Sequence, residues 1–159
     1  MELNSMIYEG KEPYIFISYS HQDDQIVLPI AEKLCRRNFR LWYDAGIDLG
    51  SDWADNIASH LSGSACVLAF FSKNYLASKF CQKELKYTLR RDKPLIVIYL
   101  EEVQLSEGLE MQLDDIQAFI RKQETNDELL AMALCESQLL QPCLIQPSGD
   151  TPTDTASNA

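Results

Sequence analysis

The chain has 159 residues, of which 46% are hydrophobic and 24% are charged, the composition of one ordinary globular domain with a single core. Its formal net charge of −10 argues against a general nucleic-acid binder and against docking on anionic lipid. No apolar run approaches the roughly 20 residues that span a bilayer, and the N-terminus has no secretory signal pattern. We therefore expect a cytoplasmic protein with neither nucleic acid nor membrane as a partner.

The cysteines and histidines of the chain predict no metal centre. The five cysteines are scattered without a CxxC pair, and two histidines add no cluster of ligands. We expect reduced cysteines that fill small apolar spaces, and no disulfide framework.

Four predicted strands alternate with helices over the first 100 residues. The first strand, YIFISY at 14–19, precedes a helix on which Ile26, Ile30 and Leu34 share a face and which Asn38 ends. The second strand, RLWY at 40–43, precedes a loop at 44–52 and a helix at 53–61. The third and fourth strands, CVLAFF at 66–71 and LIVIYL at 95–100, are apolar throughout, as expected for a parallel sheet buried on both faces. Residues 72–77 are predicted to form a loop before a helix at 78–89.

The pattern weakens after Glu102. We predict a short helix at 106–113, a fifth strand at 116–121, and a capping box, Thr125-x-x-Glu128, that opens a last helix through Leu129, Met132 and Leu139. Residues 1–12 are predicted to be a flexible N-terminus, 13–145 the domain, and 146–159 a disordered tail or linker. The order of elements predicts an α/β fold, a doubly wound parallel sheet with helices on both faces.

One carboxylate, Glu84, lies on the border of a helix face. In the predicted helix at 78–89, Cys81, Leu85 and Thr88 share the inward side, and Lys83, Lys86 and Arg90 point the other way. Ligands of open α/β sheets bind at the carboxyl ends of the strands, where the stretches at 19–24, 44–52 and 72–80 converge. Glu84 is therefore either a rim residue with a solvated head or a group aimed into a cleft.

Common catalytic fingerprints are missing from the sequence. It has no GxGxxG, no GxxxxGK[ST] and no GxSxG, and the third strand ends in Phe70, Phe71 and Ser72 rather than in the aspartate of a phosphoacceptor receiver. A carboxylate among aromatics and hydroxyls could hold a sugar and stabilise positive charge as a bond to the anomeric carbon breaks. The residues alone predict an α/β domain with a nucleotide-sized cleft.

Three motifs resemble those of the Toll/interleukin-1 receptor homology (TIR) domain. They are FISYSHQD at 16–23, WYDAGIDLGSDW at 42–53 and VLAFFSKNYLASKFCQKEL at 67–85, and LSEGLEMQLDDIQAFI at 105–120 is similar to the later part of bacterial members. The resemblance covers residues 13–140 and implies a flavodoxin-like sheet of five parallel strands. Some members of that family cleave NAD⁺ into nicotinamide and ADP-ribose or a cyclic isomer, and others only assemble with each other.

The resemblance also implies roles for individual residues. Enzymatic members use a glutamate within W-C-x-x-E, which here reads F-C-Q-K-E, so the catalytic role falls on Glu84 and Phe80 takes the tryptophan position. The loop at 44–51 would gate the cleft and reach a neighbouring TIR domain. The implied substrate-binding residues are Tyr19, Ser20, Asp44, Gly46, Gly50 and Phe80.

Three functions remain open at this point. The first is an NAD⁺ glycohydrolase or cyclase in bacterial defence or effector signalling, activated by self-assembly. NAD⁺ would be its substrate rather than a cofactor, and no metal is needed. An ionised Glu84 at neutral pH fits this role, so the role demands no raised pKa. The second is a non-catalytic signalling module that assembles with other TIR domains, as a homo-oligomer or filament, and the third is a nucleoside-sugar transferase of related fold. A sensor protein or fused domain would supply the assembly signal.

Overall fold

Five parallel strands form the centre of the fold in the computed structural model, which describes residues 6–45, 53–122 and 126–146. The strands are β1 Ile15–Ser18, β2 Leu41–Trp42, β3 Cys66–Phe71, β4 Leu95–Tyr99 and β5 Gln117–Ile120. Their order in the sheet is β2-β1-β3-β4-β5, and every neighbouring pair is parallel. This order confirms the predicted α/β, flavodoxin-like, doubly wound five-stranded sheet.

Helices connect the strands and cover the sheet. They are α1 Asp24–Arg36, α2 Trp53–Gly63, α3 Lys73–Ala77, α4 Lys79–Arg90, α5 Glu107–Gln112 and α6 Asp127–Cys135, with 3-10 turns at His21–Asp23 and Gln138–Cys143. Asn38 adopts a left-handed conformation with φ 74° just after α1, which confirms the predicted end of that helix.

Successive side chains of β1 point to opposite layers of the core. Ile15 and Ile17 pack in one layer with the buried face of α1 and with Leu134 of α6. Phe16 packs in the other layer with residues of α2, α3 and α4, including Tyr75. Helices therefore cover both faces of the sheet, as predicted, and Ser18 shares the strand parity of Phe16.

The segment at 73–77, predicted as a loop, is the short helix α3. Ser72 begins it, because the Ser72 hydroxyl oxygen accepts a hydrogen bond from the backbone N–H of Tyr75 at 3.0 Å. Five residues are too few to show a 3.6-residue hydrophobic period, so the pattern gave no sign of this helix.

The beginning and the end of α6 also differ from the prediction. Asn126 is the N-cap and accepts from the backbone N–H of Glu128 at 3.0 Å, whereas Thr125 lies outside the described residues. The helix ends at Cys135, so Leu139, which was predicted to lie in it, falls in the 3-10 turn that follows. The buried residues of α6 are Ala131 and Leu134, and Leu129 and Met132 are exposed. Both sides of this helix carry apolar residues, so periodicity could not show which side is buried.

Part of the segment expected to be a flexible N-terminus packs against the domain. Met6 is buried, Ile7 forms an isolated parallel bridge with Leu41, and the Glu9 carboxylate accepts from Trp42. Nearly all of the predicted tail at 146–159 lies outside the described residues. Within the described ranges, no helix is long and apolar enough to cross a membrane.

Candidate functional site

A cleft of about 590 Å³ opens at the carboxyl ends of β1 and β2 and at the beginning of α4. Five of the seven predicted site residues line it: Tyr19, Ser20, Asp44, Phe80 and Glu84. The other two, Gly46 and Gly50, lie outside the described residues. The cleft therefore brings together residues from three separate parts of the sequence, at the edge where parallel α/β sheets bind ligands.

Glu84 reaches the cleft because of how α4 packs on the sheet. The Ser78 hydroxyl caps the helix by accepting from the backbone N–H of Cys81 at 3.2 Å. Cys81, Leu85 and Thr88 are buried, as predicted for the inward face. Glu84 sits between this face and the solvent, and it keeps part of its surface exposed.

A buried hydroxyl of the central strand β1 holds the Glu84 carboxyl. The Ser18 hydroxyl donates to Glu84 Oε1 at 2.6 Å, and the Tyr75 hydroxyl lies 2.8 Å from the same Ser18 oxygen. Ser18 is 1% exposed and Tyr75 is fully buried. The carboxyl is therefore attached to a buried position of an interior strand of the sheet.

The surroundings of Glu84 make it a weaker acid than expected. Burial raises the pKa of Glu84 to about 7, the Ser18 hydrogen bond acts in the lowering direction, and the nearby charge of Asp44 adds to the rise. The proposed role does not demand this raised pKa, and helix geometry alone could not show how deeply the carboxyl is packed. At neutral pH, Glu84 exists in both protonation states.

A second hydrogen-bond network fixes the loops around the cleft. The buried Asp23 carboxylate accepts from the Ser72 hydroxyl at 2.5 Å and from the Asn74 side-chain amide at 2.8 Å. Since Ser72 also caps α3, this network ties the end of β1 to the segment that leads into α4.

The other described site residues differ in what they offer a ligand. The Tyr19 hydroxyl is 3.5 Å from the Asp44 carbonyl, and burial raises its pKa, so it stays a neutral hydroxyl. The Ser20 oxygen is occupied as the cap of the following turn, where it accepts from the Gln22 N–H at 3.3 Å. Phe80 keeps 48% of its surface exposed and provides an aromatic ring at the cleft.

The charge of the cleft favours a ligand with a cationic group. Asp44 and Glu84 are its acidic residues, and Lys79 is the one described lining residue with a permanent positive charge. Burial raises the pKa of Cys81 to about 12, so its thiol is not a nucleophile at neutral pH. Among the described residues, no group of three or more His, Cys, Asp or Glu side chains could hold a metal ion.

Ser18 and Tyr75 are the site residues that the sequence analysis missed. Ser18 is a lone hydroxyl within an otherwise apolar strand, and Tyr75 lies in a segment predicted as a loop. A hydroxyl at a fully buried strand position needs a hydrogen-bond partner, which was the available signal. The partners themselves, 57 and 66 residues further along the chain, could not be identified from spacing.

Three solved structures are similar to this chain in fold. The TIR domain of the Toll-related receptor TRR-2 from Hydra magnipapillata superimposes with a TM-score of 0.63 at 16% identity, covering 79% of this chain and 96% of that chain. The RPS4 and RRS1 TIR domain heterodimer gives 0.57 at 14% identity, covering 77% and 93%. The CMP N-glycosidase BcmB from Clostridium botulinum gives 0.57 at 11% identity, covering 78% and 99%.

The sequence itself supplies the family. Among curated proteins, no sequence matches this chain. The family model described as the TIR domain matches residues 15–137, a span that contains all five strands, the cleft and Glu84. The chain therefore belongs to the TIR domain family.

Proposed function

We propose that this TIR domain cleaves the N-glycosidic bond between nicotinamide and ribose in NAD⁺, with Glu84 as the catalytic carboxylate. The observation that carries the proposal is a single carboxyl group with a pKa of about 7, fixed by Ser18 at the wall of a nucleotide-sized cleft. Loss of nicotinamide needs no acid, because the departing base becomes neutral. An ionised carboxylate near the ribose is enough to stabilise the positive charge that develops on the sugar.

The charge of the cleft supports NAD⁺ over a neutral nucleoside. The nicotinamide ring of NAD⁺ is cationic, and two carboxylates, Asp44 and Glu84, line the cleft. The exposed ring of Phe80 offers an aromatic surface for a planar base. Lys79, at the start of α4, offers a positive charge to the diphosphate.

The residues of the chain have the following roles in the proposed reaction. Ionised Glu84 hydrogen-bonds the hydroxyls of the nicotinamide ribose and stabilises the oxocarbenium ion as nicotinamide leaves. The protonated form of Glu84 carries no charge to do this. Water, or an adenine nitrogen of the same molecule, then attacks the anomeric carbon and gives ADP-ribose or its cyclic isomer. Assembly through the loop at 44–51 would complete the site in a cytoplasmic defence or effector pathway, with a sensor protein or fused domain as the trigger.

A solved neighbour points to the same class of reaction with a different substrate. BcmB is described as a CMP N-glycosidase, and its fold is shared over 78% of this chain. CMP is therefore the substrate to offer beside NAD⁺, and base exchange would indicate a nucleoside-sugar transferase. The acidic cleft favours the cationic base.

A non-catalytic TIR–TIR module is the second candidate. The RPS4 and RRS1 structure is a TIR domain heterodimer, and this chain exposes the apolar side chains of Met111 and Ile120. Such a module would assemble without turning over any nucleotide.

The decisive experiment measures base release by the purified protein. The wild type, Glu84→Gln and the control Glu107→Gln are incubated at high concentration with NAD⁺ or CMP, and free nicotinamide and cytosine are quantified. Glu107 is an exposed glutamate in α5, away from the cleft, so its variant removes a charge of the same kind. We expect nicotinamide from the wild type and from Glu107→Gln, and a loss of roughly 10²- to 10³-fold in Glu84→Gln. Equal release by all three proteins would contradict the role of Glu84, and no release in any assembled state would favour the module.

A further inference from the structure

A pair of buried hydroxyl groups lies behind Glu84. The Tyr75 hydroxyl is 2.8 Å from Ser18 Oγ, and Ser18 Oγ is 2.6 Å from Glu84 Oε1. The first of these bonds is fully buried, and Tyr75 has no exposed surface. The three groups therefore form a chain that runs from α3, through β1, to α4.

The number of available protons fixes the direction of this chain. Burial raises the pKa of Tyr75 well above its usual value, so the phenol keeps its proton. Among the described residues, Ser18 Oγ is the acceptor within reach of that proton, and a buried donor left without an acceptor is costly. Tyr75 therefore donates to Ser18. Since the Ser18 hydroxyl has one proton, that proton goes to Glu84 Oε1.

This direction makes the two oxygens of Glu84 unequal. A proton on Oε1 would face the Ser18 proton, and the Ser18 proton would then lose its acceptor. Oε2 receives no hydrogen bond from a protein donor in the described part of the chain. Oε1 is therefore the anchored oxygen, and Oε2 is the one that can exchange a proton or meet a ligand.

We propose that Tyr75 and Ser18 are positioning residues for Glu84, in which the Tyr75 hydroxyl commits the single Ser18 proton to Glu84 Oε1 and leaves Oε2 as the oxygen that faces the substrate. The chain acts as a unit, since Ser18 without Tyr75 could turn its hydroxyl to donate or to accept. Only the kinetic consequence of this arrangement rests on the proposed function, because the hydrogen-bond chain itself exists without turnover.

The hydrogen bond from Ser18 is the main influence that lowers the pKa of Glu84 and so opposes the effect of burial. Asp44, from the segment after β2, raises the pKa of Glu84 and is the charged partner that affects it within the described part of the chain. Tyr19 at the end of β1 and Cys81 on α4 both have raised pKa values and stay neutral. His21 and Lys79 also line the cleft. Loss of the Ser18 bond should therefore raise the pKa of Glu84 further.

The test is a carboxyl titration by NMR on protein labelled with ¹³C at the glutamate carboxyl carbon, with the Glu84 signal identified by its absence in Glu84→Gln. Ser18→Ala should raise the midpoint of Glu84 by about one pH unit, because a hydrogen bond to the ionised form is lost. Tyr75→Phe should raise it by about half a unit, because Ser18 is no longer forced to donate.

Tyr14→Phe is the matched control. The Tyr14 hydroxyl donates to the His60 carbonyl at 2.7 Å, so this variant also removes a tyrosine hydrogen bond, but far from the cleft. The Glu84 midpoint should not change in this control. If Tyr75→Phe titrates like Tyr14→Phe, the chain does not position Glu84 and the proposal is overturned, even if Ser18→Ala does not fold.

Kinetics give a second measurement that a purely structural role would not alter. In Tyr75→Phe, the acid limb of kcat/KM should move to higher pH by the same half unit. A lower plateau with an unmoved limb would contradict the proposal. If no variant releases nicotinamide, the proposed function fails, and the NMR titration still decides the role of Tyr75 and Ser18.

Discussion

Two glutamates of this domain, Glu84 and Glu9, differ in burial, and their surroundings shift their pKa values in opposite directions. Glu84, at the carboxyl end of the sheet, is packed among buried groups, and among the described residues it receives one hydrogen bond, from Ser18. The Glu9 side chain is 61% exposed and receives hydrogen bonds from Trp42 and His60, both at 2.9 Å. Burial raises the pKa of Glu84 to about 7. For Glu9, burial is the largest single influence and acts in the raising direction, but His60 and Trp42 together outweigh it and lower the pKa.

The difference separates a functional carboxylate from a structural one. Glu9 holds the N-terminal segment on the domain as part of a cluster in which the Trp42 and His60 rings stack at 4.0 Å. Its charge is satisfied, so it has no tendency to react. Glu84 is insufficiently solvated when ionised, and a cationic ligand in the cleft would relieve that deficit.

The largest expected effect is on stability and follows from the raised pKa of Glu84. Between its unfolded pKa near 4.5 and its folded pKa near 7, the folded protein binds more protons, so stability falls as pH rises through this window. The variant Glu84→Gln has no carboxyl at this position, so it does not lose this stability as pH rises. Its free energy of unfolding relative to wild type should grow by about 2 to 3 kcal/mol between pH 4.5 and pH 8.

Urea unfolding of both proteins across this pH range measures the difference in their free energies of unfolding. The contributions of groups that titrate in both proteins cancel in this difference. Parallel curves would show that Glu84 has an ordinary pKa.

The second effect has the opposite sign and concerns Glu9. Because its folded pKa is lowered, Glu9 stabilises the fold above its unfolded pKa, and that contribution is lost as pH falls through the folded value. Since the side chain is largely exposed, Glu9→Gln should lower the free energy of unfolding at pH 7 by about 0.5 kcal/mol.

The control for Glu9 is Glu12→Gln, an exposed glutamate of the same segment. Urea unfolding at pH 7 compares the two variants. Equal stability in both would show that the contacts of Glu9 with Trp42 and His60 contribute nothing measurable.

The smallest effect isolates the charge of Asp44. Its carboxylate is one of the causes that raise the pKa of Glu84, so Asp44→Asn should lower the midpoint of Glu84 by roughly 0.3 pH unit. Carboxyl NMR measures the shift, with Asp24→Asn, at an exposed position in α1, as the control. A midpoint that stays unchanged or rises would remove Asp44 from the electrostatics of the site.

The sheet could be predicted because its central strands carry a strong signal. β3 and β4 are apolar at every position, and a strand buried on both faces needs that composition whatever its neighbours are. β5 is mostly exposed, and its prediction rested on a weak pattern. The short helix α3 was missed, and the bounds of α6 differ from the prediction.

For the site, the sequence predicted which residues line the cleft but not how they contact one another. Motif resemblance identified Glu84 and its cleft neighbours, because a motif records which residue types recur along the chain. The Ser18 and Tyr75 contacts and the raised pKa of Glu84 depend on packing between β1, α3 and α4. Such packing is set by the whole fold, so no local pattern contains it.

The most direct test of the catalytic role of Glu84 is the pH dependence of kcat/KM for nicotinamide release from NAD⁺ by the wild-type protein between pH 5 and pH 9. The ionised carboxylate is the active form in our account, so kcat/KM should rise with pH along an acid limb with an apparent pKa near 7 and then level off. A limb near the ordinary glutamate value of about 4.3, or a profile without a limb, would contradict the assignment of the reaction to Glu84 in its observed environment.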